Sequence, residues 1–203
     1  MHKLNNTWTL WLHLPHDVDW SISSYKKVVT FDTLEDGIRL IENTNKELVE
    51  KCMLFVMKDN IKPIWEDSDN SKGGCLCYKI DENSVYEVWK KLNYYLIGGT
   101  LIDNEDIMEN INGISISPKK NYCIIKFWLK DSAILKTQDI FACLEKNNTN
   151  DNSNSKVNYN HKTDVSNNVV ESDVSVNVDP LNIDKLCDIE PQHCLYKRHD
   201  ILY

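Results

Sequence analysis

The chain has 203 residues, 41% of them hydrophobic, and a formal net charge of -8. That length holds one well-buried core plus a tail and excludes two large domains. It has no apolar run of the ~18 residues a membrane span needs, and Met1-His2-Lys3 does not open a secretory leader, so a soluble cytoplasmic protein is expected. The acidic balance excludes a general nucleic-acid-binding surface but not a small basic site, because counterion-driven affinity depends on local cations.

Thr7 to His13 has the β-branched and aromatic content of a strand. Alternation puts Thr7, Thr9 and Trp11 on one face and Trp8, Leu10 and Leu12 on the other, so both faces need cover, as in a sheet backed by helices. A polar loop with Pro15, His16, Asp17 and Asp19 then carries Trp20, an aromatic where a core residue is not expected. Val28–Phe31 reads as a second strand. Thr33-Leu34-Glu35-Asp36 resembles a capping box, with Leu34, Ile38 and Ile41 following at helical spacing; Gly37 weakens that helix by about 1 kcal/mol relative to Ala. Met53–Lys58 is a buried strand that turns at Lys58-Asp59-Asn60.

Cys75–Ile80 is the next strand. Asn83 or Ser84 caps the strongest helix, which puts Val85, Val88, Trp89, Leu92, Tyr95 and Leu96 on one face and stops at Gly98. A short helix is predicted over Asp103–Ile111. Strands over Gly113–Ser117 and Tyr122–Trp128 are joined by the turn Pro118-Lys119-Lys120-Asn121. Ile134–Lys146 reads as a last helix. The composition then shifts to Asn, Ser and Asp, which predicts a disordered insertion, and the end of the chain reads as a strand and loop returning to the sheet. The division is residues 1–146 as a domain, 147–187 as the insertion and 188–203 as the returning segment. Seven cysteines without regular spacing read as reduced thiols, and Cys75-x-Cys77 is one residue short of the usual zinc pair; no metal and no cofactor is expected.

The chemistry concentrates in Lys62-Pro63-Ile64-Trp65-Glu66-Asp67. Pro63 biases Lys62 away from helix, so Trp65 sits on a stiff loop or strand end. An indole face stacks on any flat base, and a carboxylate beside it accepts only from a donor edge such as guanine N1–H and its exocyclic amine. The other reading of the same residues is core packing for Trp65 and a solvated turn for Glu66 and Asp67.

Trp65-Glu66-Asp67 followed by Lys72-Gly73-Gly74 resembles the central signature of the translation initiation factor 4E family, which binds the 7-methylguanosine cap of messenger RNA. Further matches keep the order: His2-x-Leu4-x-Asn6-x-Trp8-x-Leu10-Trp11, Phe31-Asp32-Thr33-Leu34-Glu35-Asp36, Leu96-Ile97-Gly98, and Gly113 leading to Trp128. The resemblance implies an α+β domain, a curved antiparallel β-sheet backed by helices on its convex face with a cap slot on the concave face, and binding without catalysis. Trp20 and Trp65 would sandwich the base, Glu66 would pair with its edge, Trp128 would meet the N7-methyl group, and Lys119 would contact phosphate. Methylated guanine is a cation, so each indole would add ~1–2 kcal/mol of cation–π attraction that neutral guanine lacks.

Two of the family's basic residues are replaced, by Cys75 and Ile124. Lys126 shares a strand face with Ile124 and Trp128 and offers a substitute; Lys120, Lys72, Lys197 and Arg198 are further candidate phosphate contacts. The family's partner-binding surface for scaffold or repressor helices maps to His2, Leu34, Ile38, Lys90, Lys91 and Tyr94. Ile38 stands where a tryptophan is usual, Lys90-Lys91 where Leu-Glu is usual and Tyr94 where a leucine is usual, so a standard partner helix would meet unpaired charge. Capped messenger RNA and a scaffold or repressor with an altered motif are the expected partners. A cap-holding repressor is an alternative within that ligand class. An aromatic cage for another methylated cation, such as methyl-lysine with Glu66 as its charge partner, is a second class. An enzyme acting on capped ends finds no supporting metal cluster, His–carboxylate pair or phosphate loop.

Overall fold

A computed structural model of the chain describes residues 1–102, 104–132, 174–176, 187 and 194–199. Among the described residues eight strands make one antiparallel sheet: β1 (Lys3–His13), β2 (Lys26–Thr33), β3 (Met53–Lys58), β4 (Gly74–Asp81), β5 (Ile111–Pro118), β6 (Tyr122–Leu129), β7 (Val174–Val176) and β8 (Cys194–Arg198). Their order is β2-β1-β3-β5-β6-β4-β8-β7. The described α-helices are α1 (Leu34–Asn43), α2 (Lys46–Lys51), α3 (Val85–Gly98) and α4 (Glu105–Asn110). The architecture is the expected α+β curved sheet with helices on one face.

Strand alternation divides the interior in two. Trp8, Leu10, Leu54, Val56, Ile114, Ile116, Leu76 and Phe127 pack with Ile41 of α1, Val49 of α2 and Val88, Trp89, Leu92 and Leu96 of α3 in the larger core. The residues between them in register, Trp11, Phe55, Met57 and Trp128, form a smaller cluster on the opposite, concave face. Both faces of β1 are thus covered, as its sequence required.

Local chemistry sets the element ends. Thr33 caps α1, its hydroxyl accepting the Asp36 N–H at 3.3 Å. Gly37 does more than weaken this helix. A Cβ there would lie 2.7 Å from Ile97 Cδ1 and 3.0 Å from the Phe31 ring, so the missing side chain lets α1 seat against α3 and β2. Helix α3 runs to Gly98 and is closed by Gly99, whose φ of +68° is the left-handed cap that glycine supplies. Helix α2 was not anticipated; Asn45 starts it by accepting the Glu47 N–H at 2.7 Å, and Val49 anchors it with no exposed surface.

The helix expected over Ile134–Lys146 lies outside the described residues, as does the insertion over 147–187 apart from β7 and Cys187. From the C-terminal segment, β8 pairs with β4, with Cys75 opposite Lys197 and Gly74 opposite Arg198. Among the described residues no helix is long and apolar enough to cross a membrane.

Candidate functional site

The loop from β3 to β4 is tied down by its own polar groups. Asp67 accepts the Lys62 N–H and the Asp69 N–H, both at 3.1 Å. Asn70, fully buried, donates its side-chain amide to the carbonyls of Lys62 and Ile64, each at 2.9 Å, and accepts from Asn112 at 3.0 Å. Gly73 passes so close to β6 that a Cβ would sit 1.7 Å from the Leu129 carbonyl oxygen. These contacts separate the two carboxylates after Trp65: Asp67 is consumed in holding the loop, and Glu66 is exposed.

Glu66 also acts on Tyr25. Burial first, and then the Glu66 charge, push the Tyr25 phenol up to about 12, so the tyrosine stays neutral beside the carboxylate. Tyr25 belongs to an unbroken run of rings across the concave face. Trp20 stacks on His13 at 4.5 Å with planes parallel; His13 meets Tyr25 at 4.9 Å and Tyr25 meets Phe55 at 5.4 Å. Phe55 meets Trp128 at 6.3 Å, Trp128 meets His199 at 5.1 Å, and His199 stacks on Trp65 at 5.6 Å and 13°. The three tryptophans singled out from the sequence therefore lie on one ring system, each backed by another ring rather than by one another. Trp128 is fixed further by its indole N–H, donated to Ser115 Oγ at 2.9 Å.

Cations border this surface along β4. Cys75 lies between Trp128 of β6 and Lys197 of β8, and Cys77 between Lys126 of β6 and Leu195 of β8. The Cys75 thiol is buried and held well above the usual thiol range, by its hydrogen bond to Cys77 and by desolvation, against the opposing pull of Lys126 and Lys197. Both lysines are therefore close to the point where a basic residue is missing. Lys119 and Lys120 are exposed on the β5–β6 turn, about 20 Å along β6 from Trp128 at the usual strand rise. Lys72 is exposed beside Gly73, and Arg198 lies opposite Gly74 in register.

The residues expected on the opposite, helical side are assembled but not unpaired. His2 donates its backbone N–H to both oxygens of Glu35 at 2.9 and 3.1 Å, and its ring lies 2.9 Å from the same carboxylate. The Leu34 N–H returns to the His2 carbonyl at 2.8 Å. Ile38 is 40% exposed on α1. Lys90 corrects the expectation of an unpaired cation: it binds Glu42 of α1 at 2.8 Å and lies over the Tyr86 ring, and the Tyr94 hydroxyl donates to the same carboxylate. Lys91 remains exposed. A groove of about 530 Å³ runs beside it, lined by Val88, Tyr94 and Cys187 among others.

His13, His199, Tyr25 and Asn70 were not read from the sequence as site residues. Alternation from Thr9 and Trp11 would have put His13 on the slot face. His199 gives no such signal, because only the pairing of β8 brings it to Trp65.

The concave face of the sheet thus carries one exposed indole, Trp20, the half-buried Trp65 and the buried Trp128, with the exposed Glu66 carboxylate and lysines at its border. The chain belongs to the family described as eukaryotic initiation factor 4E, whose model matches residues 3–176. The eukaryotic translation initiation factor 4E homolog of Acanthamoeba polyphaga mimivirus is 29% identical over 136 residues, 57% of this chain and 50% of that protein. The Candida albicans eukaryotic translation initiation factor 4E is 30% identical over 155 residues, 71% of this chain and 72% of its own length. A schistosome eIF4E solved with m7GpppG and 4E-BP is similar with a TM-score of 0.60 and 27% identity, over 67% of this chain and 76% of that one. The chain spans about half the length of the mimivirus relative and less than three quarters of the fungal one.

Proposed function

We propose that the concave slot binds the 7-methylguanosine cap of messenger RNA and that the chain thereby supports or regulates translation initiation in the cytoplasm. The observation that carries this reading is the exposed Glu66 beside Trp65, next to a carboxylate, Asp67, that is already spent on the loop backbone. Guanine offers two donors, N1–H and the exocyclic amine, to such a carboxylate. Stacking on Trp65 and Trp20 then rewards the positive charge of the N7-methylated base by ~1–2 kcal/mol per indole when desolvated, and Trp128 closes on the methyl group. Lys126 and Lys197 meet the first phosphates, and Lys119, Lys120, Lys72 and Arg198 serve phosphates or nucleotides further out. The surface of Leu34, Ile38, Lys90, Lys91 and Tyr94, with His2 at its edge, docks a scaffold or repressor helix, and its Lys90–Glu42–Tyr94 network supports a partner motif different from the usual one. The cap is held without chemistry.

The test is tryptophan-fluorescence titration with 7-methylguanosine triphosphate, with unmethylated triphosphate and Glu66→Ala as controls. The expected result is quenching by the methylated ligand at least about tenfold tighter than by GTP, a ratio set by the cation–π difference, and lost in the variant. Equal response to both nucleotides, or to neither, refutes the reading. Recovery of m7GpppG intact after incubation tests the absence of chemistry.

A further inference from the structure

Each tryptophan of the proposed sandwich is backed by a histidine that is tied to the same loop as the tryptophan. His13, at the end of β1, is 1% exposed and lies flat on Trp20. Its Nε2 is 2.9 Å from the carbonyl of Asp19, the residue before Trp20. A carbonyl only accepts, so that nitrogen carries the hydrogen. Asp19 is itself immobilised: its carboxylate accepts the Ser21 N–H at 2.8 Å and the Ser21 hydroxyl at 2.9 Å, and its own N–H goes to Asp17 at 3.0 Å. Trp20 is 56% exposed, yet the backbone on both its sides is pinned and one ring face is covered. At the other end of the ring system, His199 is 3% exposed, stacks on Trp65, and has Nδ1 3.0 Å from the carbonyl of Asn70 in the Trp65 loop. The His199 N–H binds the Gly73 carbonyl at 3.0 Å in the same loop.

We infer that His13 and His199 are positioning residues of the slot: each locks one indole in place from behind and leaves its other face to the ligand, so that binding builds a five-layer stack of imidazole, indole, base, indole and imidazole. An exposed tryptophan without such a support samples several rotamers and loses that freedom on binding. Here the ordering is done by folding, and the ligand meets prepared faces. The inference rests on the cap reading for the identity of the middle layer, but not for the support of the indoles.

The experiment is a double-mutant cycle on the full chain, with 7-methylguanosine triphosphate as probe, using His13→Ala, Trp20→Ala and the pair, and His13→Phe as the variant that keeps a ring. His13→Ala is expected to weaken binding about five- to tenfold, the scale of one newly mobile side chain, to cost less than about twofold in the Trp20→Ala background, and to be largely rescued by His13→Phe. Acrylamide quenching of the ligand-free protein, read as the difference between parent and Trp20→Ala, should rise in His13→Ala. Equal losses in both backgrounds, or no change in Trp20 accessibility, overturn the inference. If the parent chain does not bind the probe, the cap reading fails, and the acrylamide measurement still decides the role of His13. The same cycle with His199→Ala and Trp65→Ala tests the second support.

Discussion

Asn70 is the residue whose loss should cost the slot most without touching the ligand. Its side chain makes three hydrogen bonds, two to the carbonyls that flank Pro63 and one from Asn112, and it is fully buried. At about 1 kcal/mol net for each, Asn70→Ala should destabilise by about 3 kcal/mol. For a chain of this size that lowers the melting temperature by roughly 6–12 °C. Asn112 retains its bond to the Asp69 carbonyl at 2.7 Å, so the damage should stay within the Trp65 loop and weaken 7-methylguanosine triphosphate binding by about tenfold, the equivalent of one immobilised ring. Asn70→Asp keeps the shape but turns one carboxylate oxygen, in place of the amide nitrogen, towards both carbonyls, and should be at least as harmful at neutral pH. Scanning calorimetry and the fluorescence titration read both effects. A melting temperature within about 2 °C of the parent, with unchanged titration, would refute the idea that this amide organises the loop.

Three further outcomes follow from the same geometry. Glu66→Gln replaces one acceptor oxygen with a donor that faces guanine donors, and should weaken the methylated ligand by at least about tenfold, as expected for loss of a charge-assisted hydrogen bond; equal affinity in the titration would remove Glu66 from the site. Lys126→Ala and Lys197→Ala should each flatten the salt dependence of triphosphate binding and leave binding of the 7-methylguanosine nucleoside unchanged; an equal loss for nucleoside and triphosphate would count against phosphate contact. Glu35 is held down to about 2, first by the His2 backbone N–H, from a usual 4.5. Because the folded value is depressed, its stabilisation is present above pH 4.5 and lost as pH falls through about 2; the melting-temperature gap between parent and Glu35→Gln should close across that window, and a gap that persists at its acid end would refute the linkage.

Strand alternation and helical spacing were legible because they are dictated by geometry that the residues themselves display. Trp8 and Trp11 fall on opposite faces of β1 as their spacing demands, and Val85, Val88, Trp89, Leu92 and Leu96 are the buried side of α3. The ordered tryptophan and glycine motifs announced the family. What stayed hidden was pairing at a distance. Nothing near Lys90 in sequence indicates Glu42, which neutralises it from α1, and nothing near Trp65 indicates His199. Helix α2 escaped because six residues with one fully buried side chain, Val49, show no period. Residue chemistry alone did not tell Glu66 from Asp67 either; only the family resemblance picked out Glu66. Adjacent carboxylates look equivalent until one is seen accepting two backbone N–H groups.

Cys75 shows how the two faces of the sheet bear change differently, and it yields a prediction that runs against simple restoration of a basic residue at that position. The residue is fully buried, its Sγ lies 3.5 Å from that of Cys77, and the thiol is kept neutral by that bond and by burial. The floor of the slot on β4 is therefore uncharged, while Lys126 and Lys197 bring positive charge from the strands on either side. Cys75→Arg would insert a large cation into a filled site between two existing cations. Overpacking costs ~1–3 kcal/mol and an uncompensated buried charge ~3–5 kcal/mol, whereas an added phosphate contact would be screened by competition with the lysines. The expected outcome is a melting temperature lower by roughly 10 °C or more and no gain in affinity for 7-methylguanosine triphosphate. A stable Cys75→Arg variant that binds more tightly would show instead that the floor is open at β4, and that the lysines are neighbours of the phosphates rather than their contacts.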